Sequence, residues 1–231
     1  MRSFYDNDIT PNLNLHTLNE EESKHLIRVL RMKCGEKIVL LDGVGGYYIC
    51  EIIDENAKHC GLKVVSSEQR KKPTAEIHIA VCPTKQMERI EWFIEKATEI
   101  GITELSLIDC ANSERTKFNT ERLKRKAVSA MKQSQGTYLP IINELSNFSS
   151  FIKKHPTGLI AYCLKEEQDT VKQHFKKHKC PILIGPEGDF TEEEVQLALL
   201  NGYKTITLGP NRLRTETAAL YACMQAKLIN G

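Results

Sequence analysis

Residues 182–218 read ILIGPEGDFTEEEVQLALLNGYKTITLGPNRLRTETA, and this stretch decides the fold. It holds two copies of one device: a short apolar run, a Gly/Pro loop, then a helix start. Ile182 to Ile184 predicts a buried strand, Gly185 to Phe190 its exit loop, and Thr191 a helix N-cap. Glu194 follows three residues later and completes a capping box. Thr205 to Leu208 predicts the next strand and Gly209-Pro210-Asn211 the next loop, with Thr215 or Thr217 opening the last helix. In open parallel sheets, ligands bind beyond the carboxyl ends of the strands. Two strand ends with glycine-bearing loops therefore mark the candidate site.

The chemistry of these loops can be narrowed. A glycine loop between strand and helix commonly holds phosphate. Here residues 182–194 carry Glu187, Asp189, Glu192, Glu193 and Glu194 and no base, so a polyphosphate is repelled. No Lys-Ser/Thr follows the glycines, which removes the P-loop reading, and neither loop reads G-x-G-x-x-G, which disfavours a nucleotide-dependent oxidoreductase. A neutral or cationic ligand, such as a nucleoside or a sulfonium, fits better. Glu192 to Glu194 have a plainer explanation, because acids favour a helix N-terminus. Glu187, wedged between Pro186 and Gly188, is less easily explained that way. Gly185, Gly188 and Gly209 let backbone approach a ligand, and Pro186 and Pro210 stiffen the loops. Ile184, Leu208 and Leu213 are apolar enough to flank a base. Arg212 and Arg214 bracket Leu213, and a salt bridge from Arg214 to Glu216 is the plain alternative to a functional role.

Outward from this stretch, strands and helices alternate from Glu76 onward. Strands are expected at 77–82, 104–108, 158–163, 181–184 and 204–208, with helices at 87–100, 119–135, 147–154, 167–178, 191–200 and 216–229. This alternation predicts an α/β domain over 74–231 with a mostly parallel sheet. Trp92 and Phe93 lie in a helical apolar pattern and are expected in its core. Bases follow the strand ends: Lys85 and Arg89 after Cys82-Pro83, then Arg115 and Lys117. Residues 112–126 hold six bases against two acids, an excess that can meet phosphates or form a solvated helix face.

Residues 1–70 read as a small β-rich domain with strands at 3–5, 12–15, 37–41, 47–53 and 62–66. One helix opens at Asn19, with Glu22 in capping-box position, and is expected to end near Gly35. Lys24, Arg28 and Arg31 then form one basic stripe at i, i+4 and i+7. The polar run 67–73, ending in Pro73, reads as the linker.

Composition sets outer bounds. The 231 residues are 41% hydrophobic and 27% charged with net charge +2, so any basic surface must be local. The eight cysteines are scattered without a C-x-x-C pair, and the seven histidines lack ligand spacing, so no metal is expected. With no signal peptide and no run approaching a membrane span, the reading is a cytoplasmic protein with reduced thiols and no membrane partner.

The run IGPEGDF at 184–190 followed by LGPNRLRTETA at 208–218 resembles the cofactor-binding loops of the RsmE family, ribosomal RNA methyltransferases of the SPOUT class. HLIRVLRMKCGE at 25–36, EKATEIGI at 95–102 and SER at 113–115 extend the resemblance over essentially the whole chain. It implies an N-terminal PUA-like β-barrel that grips RNA and a C-terminal SPOUT domain with a deep trefoil knot. It implies S-adenosylmethionine as cofactor, held by Leu164, by Ile184, Gly185, Pro186, Glu187 and Gly188, and by Leu208, Gly209, Leu213, Arg214, Thr215, Thr217 and Ala218. It further implies methylation of uracil N3 in 16S rRNA of the small ribosomal subunit, with Arg214 catalytic, and a homodimer. Lys24, Arg28, Arg31, Lys85 and Arg115 are the implied RNA contacts. One segment departs: residues 132–140 read KQSQGTYLP, where the family often has E-Q-S/C-G-R and a second Arg before Pro. Gln133, Ser134 and Pro140 match, while the acid and both arginines are absent. A non-catalytic RNA-binding protein that kept the fold is the alternative from a different class.

Overall fold

The computed structural model describes residues 1–114, 118–162, 169–175 and 180–230. By its internal contacts the chain forms two units, one of residues 1–72 with 131–139 and one of 73–130 with 140–231. A single cut near residue 70 thus misses the short segment 131–139, which the linear reading leaves in the second domain.

In the second unit the predicted alternation appears as a six-stranded sheet. Its strands are β6 (His78–Val81), β7 (Glu104–Asp109), β8 (Ile141–Asn147), β9 (Leu159–Ala161), β10 (Pro181–Ile184) and β11 (Lys204–Ile206). They lie in the order β11-β9-β10-β6-β7-β8, and every pairing is parallel. Parallel strands buried on both faces read as continuous apolar runs, and β6 and β10 are buried at every position. The helices are α2 (Met87–Ile100), α3 (Thr120–Ser134), α4 (Phe148–Lys154), α5 (Val171–His174), α6 (Glu192–Leu200) and α7 (Thr215–Asn230). α2 ends where Gly101 takes a left-handed φ of 100°, with its N–H bonded back to Ala97. Strand β8 escapes the sequence reading because IINELSN is polar-laced and, at the sheet edge, has no fully buried residue. Trp92 also departs from expectation: Phe93 is buried, but Trp92 is 43% exposed on the outer side of α2.

The first unit carries β1 (Ser3–Tyr5), β2 (Leu15–Thr17), β3 (Lys37–Leu41), β4 (Gly46–Asp54) and β5 (Gly61–Gln69) in the order β1-β3-β4-β5-β2. The expected barrel does not close, since no pairing joins β1 to β2 among the described residues. Helical side chains serve the edge instead. Tyr5 N donates to Glu22 Oε1 at 3.3 Å, and Ser23 Oγ accepts from Cys60 N at 3.0 Å. The expected linker is shorter than read, because β5 runs through Gln69.

The helix also differs. Asn19 caps α1 (Glu20–Lys24), accepting from Glu22 N at 2.9 Å, but the next turn, His25–Val29, is π-helical. It ends there, not at Gly35, because Arg31 adopts a left-handed φ of 56°. Arg31 therefore leaves the helix before completing the i, i+7 stripe with Lys24 and Arg28. All three bases remain exposed.

Segment 131–139 joins this unit through Met131 and Leu139, which pack with Val39 and Leu41. Tyr138 donates its hydroxyl to Arg70 O at 2.8 Å, the anchoring of a packed aromatic. Nearby, buried Asp42 organises the β3–β4 turn. It accepts from Val44 N at 2.8 Å, Gly46 N at 2.7 Å and the Tyr48 hydroxyl at 3.1 Å. Burial, then the Asp42 charge, pushes the Tyr48 hydroxyl up to about 12, so it stays a donor. Asp42→Ala strands three donors and should cost on the order of 2–4 kcal/mol. Urea unfolding of the variant measures this, and a loss under about 1 kcal/mol would contradict the assignment.

Candidate functional site

The register of three strands creates the site. Ala161 on β9 pairs with Ile184 on β10 and with Ile206 on β11, so three carboxyl ends finish at one level. Beyond them lies a cleft of about 620 Å³, counting the part open to solvent. Its walls are Ala161 and Tyr162, the β10 loop at 184–187 with Asp189, the β11 loop at 206–209 with 211–213, and Thr215 and Ala218 of α7.

Each loop is fixed by its own sequence. The β10 loop turns at Asp189, whose φ is 63°, with its N–H bonded to Pro186 O at 3.0 Å. Asp189 Oδ1 accepts from Phe190 N at 2.8 Å, and Phe190 is buried against Phe148 at 5.6 Å between ring centroids. Thr215 Oγ1 donates to Gly185 O at 3.2 Å, which ties the start of α7 to this loop. The β11 loop needs glycine at Gly209, where φ is 116°. A Cβ there would meet nothing within 4 Å, so that side is open to a ligand.

The acids of this stretch divide into two groups. Thr191 and Glu194 form the predicted capping box, and Glu194 Oε1 also accepts from Ala111 N at 2.8 Å. Glu194 is thereby used by the backbone. Glu187 and Asp189 instead line the cleft, with Arg212 as the one base among its described lining residues. Beneath the loop, Cys82 N donates to Ile184 O at 3.0 Å. The neighbouring Cys110 thiol is pushed well up by its side-chain hydrogen bond with Cys82 and by burial, so it is a neutral thiol and not a nucleophile. Among the described residues, no group of three His, Cys, Asp or Glu could hold a metal.

Of the residues singled out in the sequence, Ile184, Gly185, Pro186, Glu187, Leu208, Gly209, Leu213, Thr215 and Ala218 meet in this cleft. Gly188, Arg214 and Thr217 do not line it. Gly188 faces Asn112, which donates to Gly188 O at 3.3 Å and Asp189 O at 3.0 Å. Arg214 and Thr217 are exposed at the start of α7. Leu164 and Arg115 lie outside the described residues. The Arg214–Glu216 bridge is not formed: Glu216 Oε1 lies 3.8 Å from Arg89 Nε, and Arg214 has no ion pair among the described residues. The sequence reading missed Ala161 and Tyr162, because the strand between β10 and β11 comes from earlier in the chain, and it passed over Ile206 and Thr207 at the end of a strand it did predict. The predicted strand end at 158–163 was the available signal.

The basic residues are mostly engaged. Arg122 Nε lies 2.6 Å from Glu91, Lys124 Nζ 2.6 Å from Glu121 and Lys126 Nζ 3.9 Å from Glu95. Arg122 and Lys126 thus reach from α3 to acids of α2, while Lys124 pairs within α3. Lys85 is exposed, with Glu114 at 3.9 Å.

Comparison with known proteins agrees with this architecture. Residues 70–227 match the family model described as RNA methyltransferase domain, and residues 18–65 match the RNA methyltransferase PUA domain. Ribosomal RNA small subunit methyltransferase E of Rickettsia conorii is 28% identical over 236 residues, spanning 99% of this chain and 95% of that protein. A crystal structure described as a probable rRNA-methyltransferase from Porphyromonas gingivalis superposes with a TM-score of 0.88 at 37% identity, covering 100% and 98% of the two chains. Ribosomal RNA small subunit methyltransferase E from Neisseria gonorrhoeae, solved bound to S-adenosyl methionine, shares the fold with a TM-score of 0.86 at 23% identity, covering 99% and 98%.

Gly188 is packed against Asn112 and away from the cleft. A Cβ on Gly188 would stand 3.3 Å from Asn112 Cβ, so Gly188→Val crowds Asn112 and not the cleft. The variant should lose about 1–3 kcal/mol of stability by overpacking. In an Asn112→Gly background, which removes that Cβ, the added cost of Gly188→Val should largely vanish in thermal unfolding; an undiminished cost would place the crowding elsewhere.

Proposed function

This chain belongs to the RNA methyltransferase family, in the ribosomal RNA small subunit methyltransferase E group, and from that premise we propose that it methylates N3 of a uridine in 16S rRNA with S-adenosylmethionine held in the strand-end cleft. The observation that carries the reading is the cleft itself: apolar walls, open backbone at Gly209, and an acidic lining that suits a cationic nucleoside.

The residues fit the group. Ile184, Ile206, Leu208 and Leu213 supply apolar faces for an adenine, and loop amides and carbonyls supply its edge. When bound, the cofactor supplies an electrophilic methyl on a sulfonium centre. Glu187 and Asp189 give a field that favours a cation and disfavours phosphate. The uracil N3 lone pair becomes available only when its proton leaves, which builds negative charge on the carbonyl oxygens. Arginine stays protonated, so Arg214, exposed and without an ion pair among the described residues, is a stabiliser of that charge and not a base. N3 lies on the pairing edge, so the base reacts unpaired or flipped. Lys24, Arg28, Arg31, Lys85 and Arg115 grip flanking phosphates in this reading.

The proposal extends to assembly and topology. Trp92 on α2 and Tyr221, Met224 and Leu228 on α7 are exposed apolar residues on two helices that pack together, and a second copy of the chain covers them in a homodimer. The C-terminal segment is threaded as a trefoil knot. Support comes from Thr207 N, bonded to Asp169 O at 2.9 Å, and from α7, which packs on α5, α2, β6 and β10. The working compartment is the cytoplasm, in keeping with free thiols at all seven described cysteines. No described helix is long and apolar enough to cross a membrane.

Arg214→Ala should keep the fold and slow single-turnover methylation of small ribosomal subunits on the order of a hundredfold at saturating cofactor. An unchanged rate removes Arg214 from the reaction. Mass mapping of the product places the methyl group, and a methyl on ribose or carbon-5 refutes the N3 assignment. Leu228→Glu should convert a dimer to monomer in sedimentation; a wild-type protein that is monomeric and fully active refutes the dimer.

A further inference from the structure

Arg89 is the third residue of α2 and so sits in its first turn, where the helix dipole disfavours a cation. Something must compensate, and two carboxylates do. Arg89 Nη1 lies 3.7 Å from Glu187 Oε1, and Arg89 Nε lies 3.8 Å from Glu216 Oε1. The acids belong to different walls of the cleft: Glu187 to the β10 loop, Glu216 to the first turn of α7. Glu216 is only 8% exposed, and its Oε2 is buried without a hydrogen-bond partner. A carboxylate in that position is costly unless a cation stands beside it. Glu187 is different, because it lines the cleft and only one of its oxygens faces Arg89.

We infer that Arg89 is a positioning residue that clasps the β10 loop to the start of α7 and thereby holds the Glu187 carboxylate at the cleft wall, where it favours the cationic cofactor. The inference rests on the proposed occupant of the cleft. Arg89 acts on the cofactor through Glu187 and on stability through Glu216, so its two effects are separable. The second strap across the same walls, from Thr215 Oγ1 to Gly185 O, keeps the loop attached when the clasp is removed. Loss of Arg89 therefore loosens the tip of the loop without unfolding it.

The test uses Arg89→Met, Glu187→Gln, Arg89→Met with Glu216→Gln, and Arg89→Met with Glu187→Gln. Arg89→Met should lower the melting temperature, weaken S-adenosylmethionine binding about tenfold in calorimetry, and speed hydrogen exchange at the Asp189 amide of the ligand-free protein. Adding Glu216→Gln should restore the melting temperature, because the buried charge is gone, but neither the affinity nor the slow exchange. Glu187→Gln should weaken binding as much as Arg89→Met, and combining these two should weaken it no further, as coupled residues do. Wild-type affinity and exchange in Arg89→Met would overturn the inference. So would recovery of affinity and exchange together with melting temperature in the Glu216→Gln background, which would make Arg89 a merely structural ion pair. If wild-type protein binds no S-adenosylmethionine, the cleft's proposed ligand is wrong, while the exchange comparison still decides whether the clasp exists.

Discussion

Ala161 pairs on one side with Ile184 and on the other with Ile206, and everything at the site depends on that double register. It brings three strand ends to one level, and the exit loops of β10 and β11 border a shared hollow. A slip of one residue would turn every side chain of β9 to the opposite face, withdrawing Ala161 from the cleft floor. The flanking loops are then pinned individually: Thr215 to Gly185, Asp189 to Pro186, and Asn112 to Gly188 and Asp189. The site is thus an outcome of sheet order, tightened by a few side chain to backbone bonds.

Charge does a second, independent job. The β10 loop carries acids where phosphate-binding loops carry amides and a lysine, and the structure sorts those acids by task. Glu194 caps its helix and holds Ala111, Glu187 lines the cleft, and Glu216 sits buried beside Arg89. Arg214 is left exposed and without an ion pair among the described residues, while Glu216 stands beside Arg89. An exposed guanidinium at the start of α7, beside a cleft with an acidic lining, is an arrangement suited to a cationic donor on one side and a developing anion on the other.

Local sequence made much of this legible. The capping box at Thr191–Glu194, the helix over 87–100 and the buried strand at 181–184 all follow from short-range chemistry, and all are present. What stayed hidden depends on long-range order or on weak patterns. Strand β9 lies between β10 and β11, which no periodicity reveals, so Ala161 and Tyr162 went unnoticed. The edge strand β8 is too polar to read as a strand. The π-helical turn at His25–Val29 and the left-handed Arg31 broke a basic stripe drawn at ordinary helical pitch. The barrel expected from the family likeness is an open sheet, with Glu22 and Ser23 satisfying backbone groups that a closing strand would have paired.

The central claim is that the hollow beyond Ala161, Ile184 and Ile206 holds the methyl donor. Crystals grown with S-adenosylmethionine test it most directly. The account predicts ligand density against residues 184–187 and 206–213, with the adenine between the apolar walls. Density elsewhere on the chain, or none there at saturating cofactor, would contradict it.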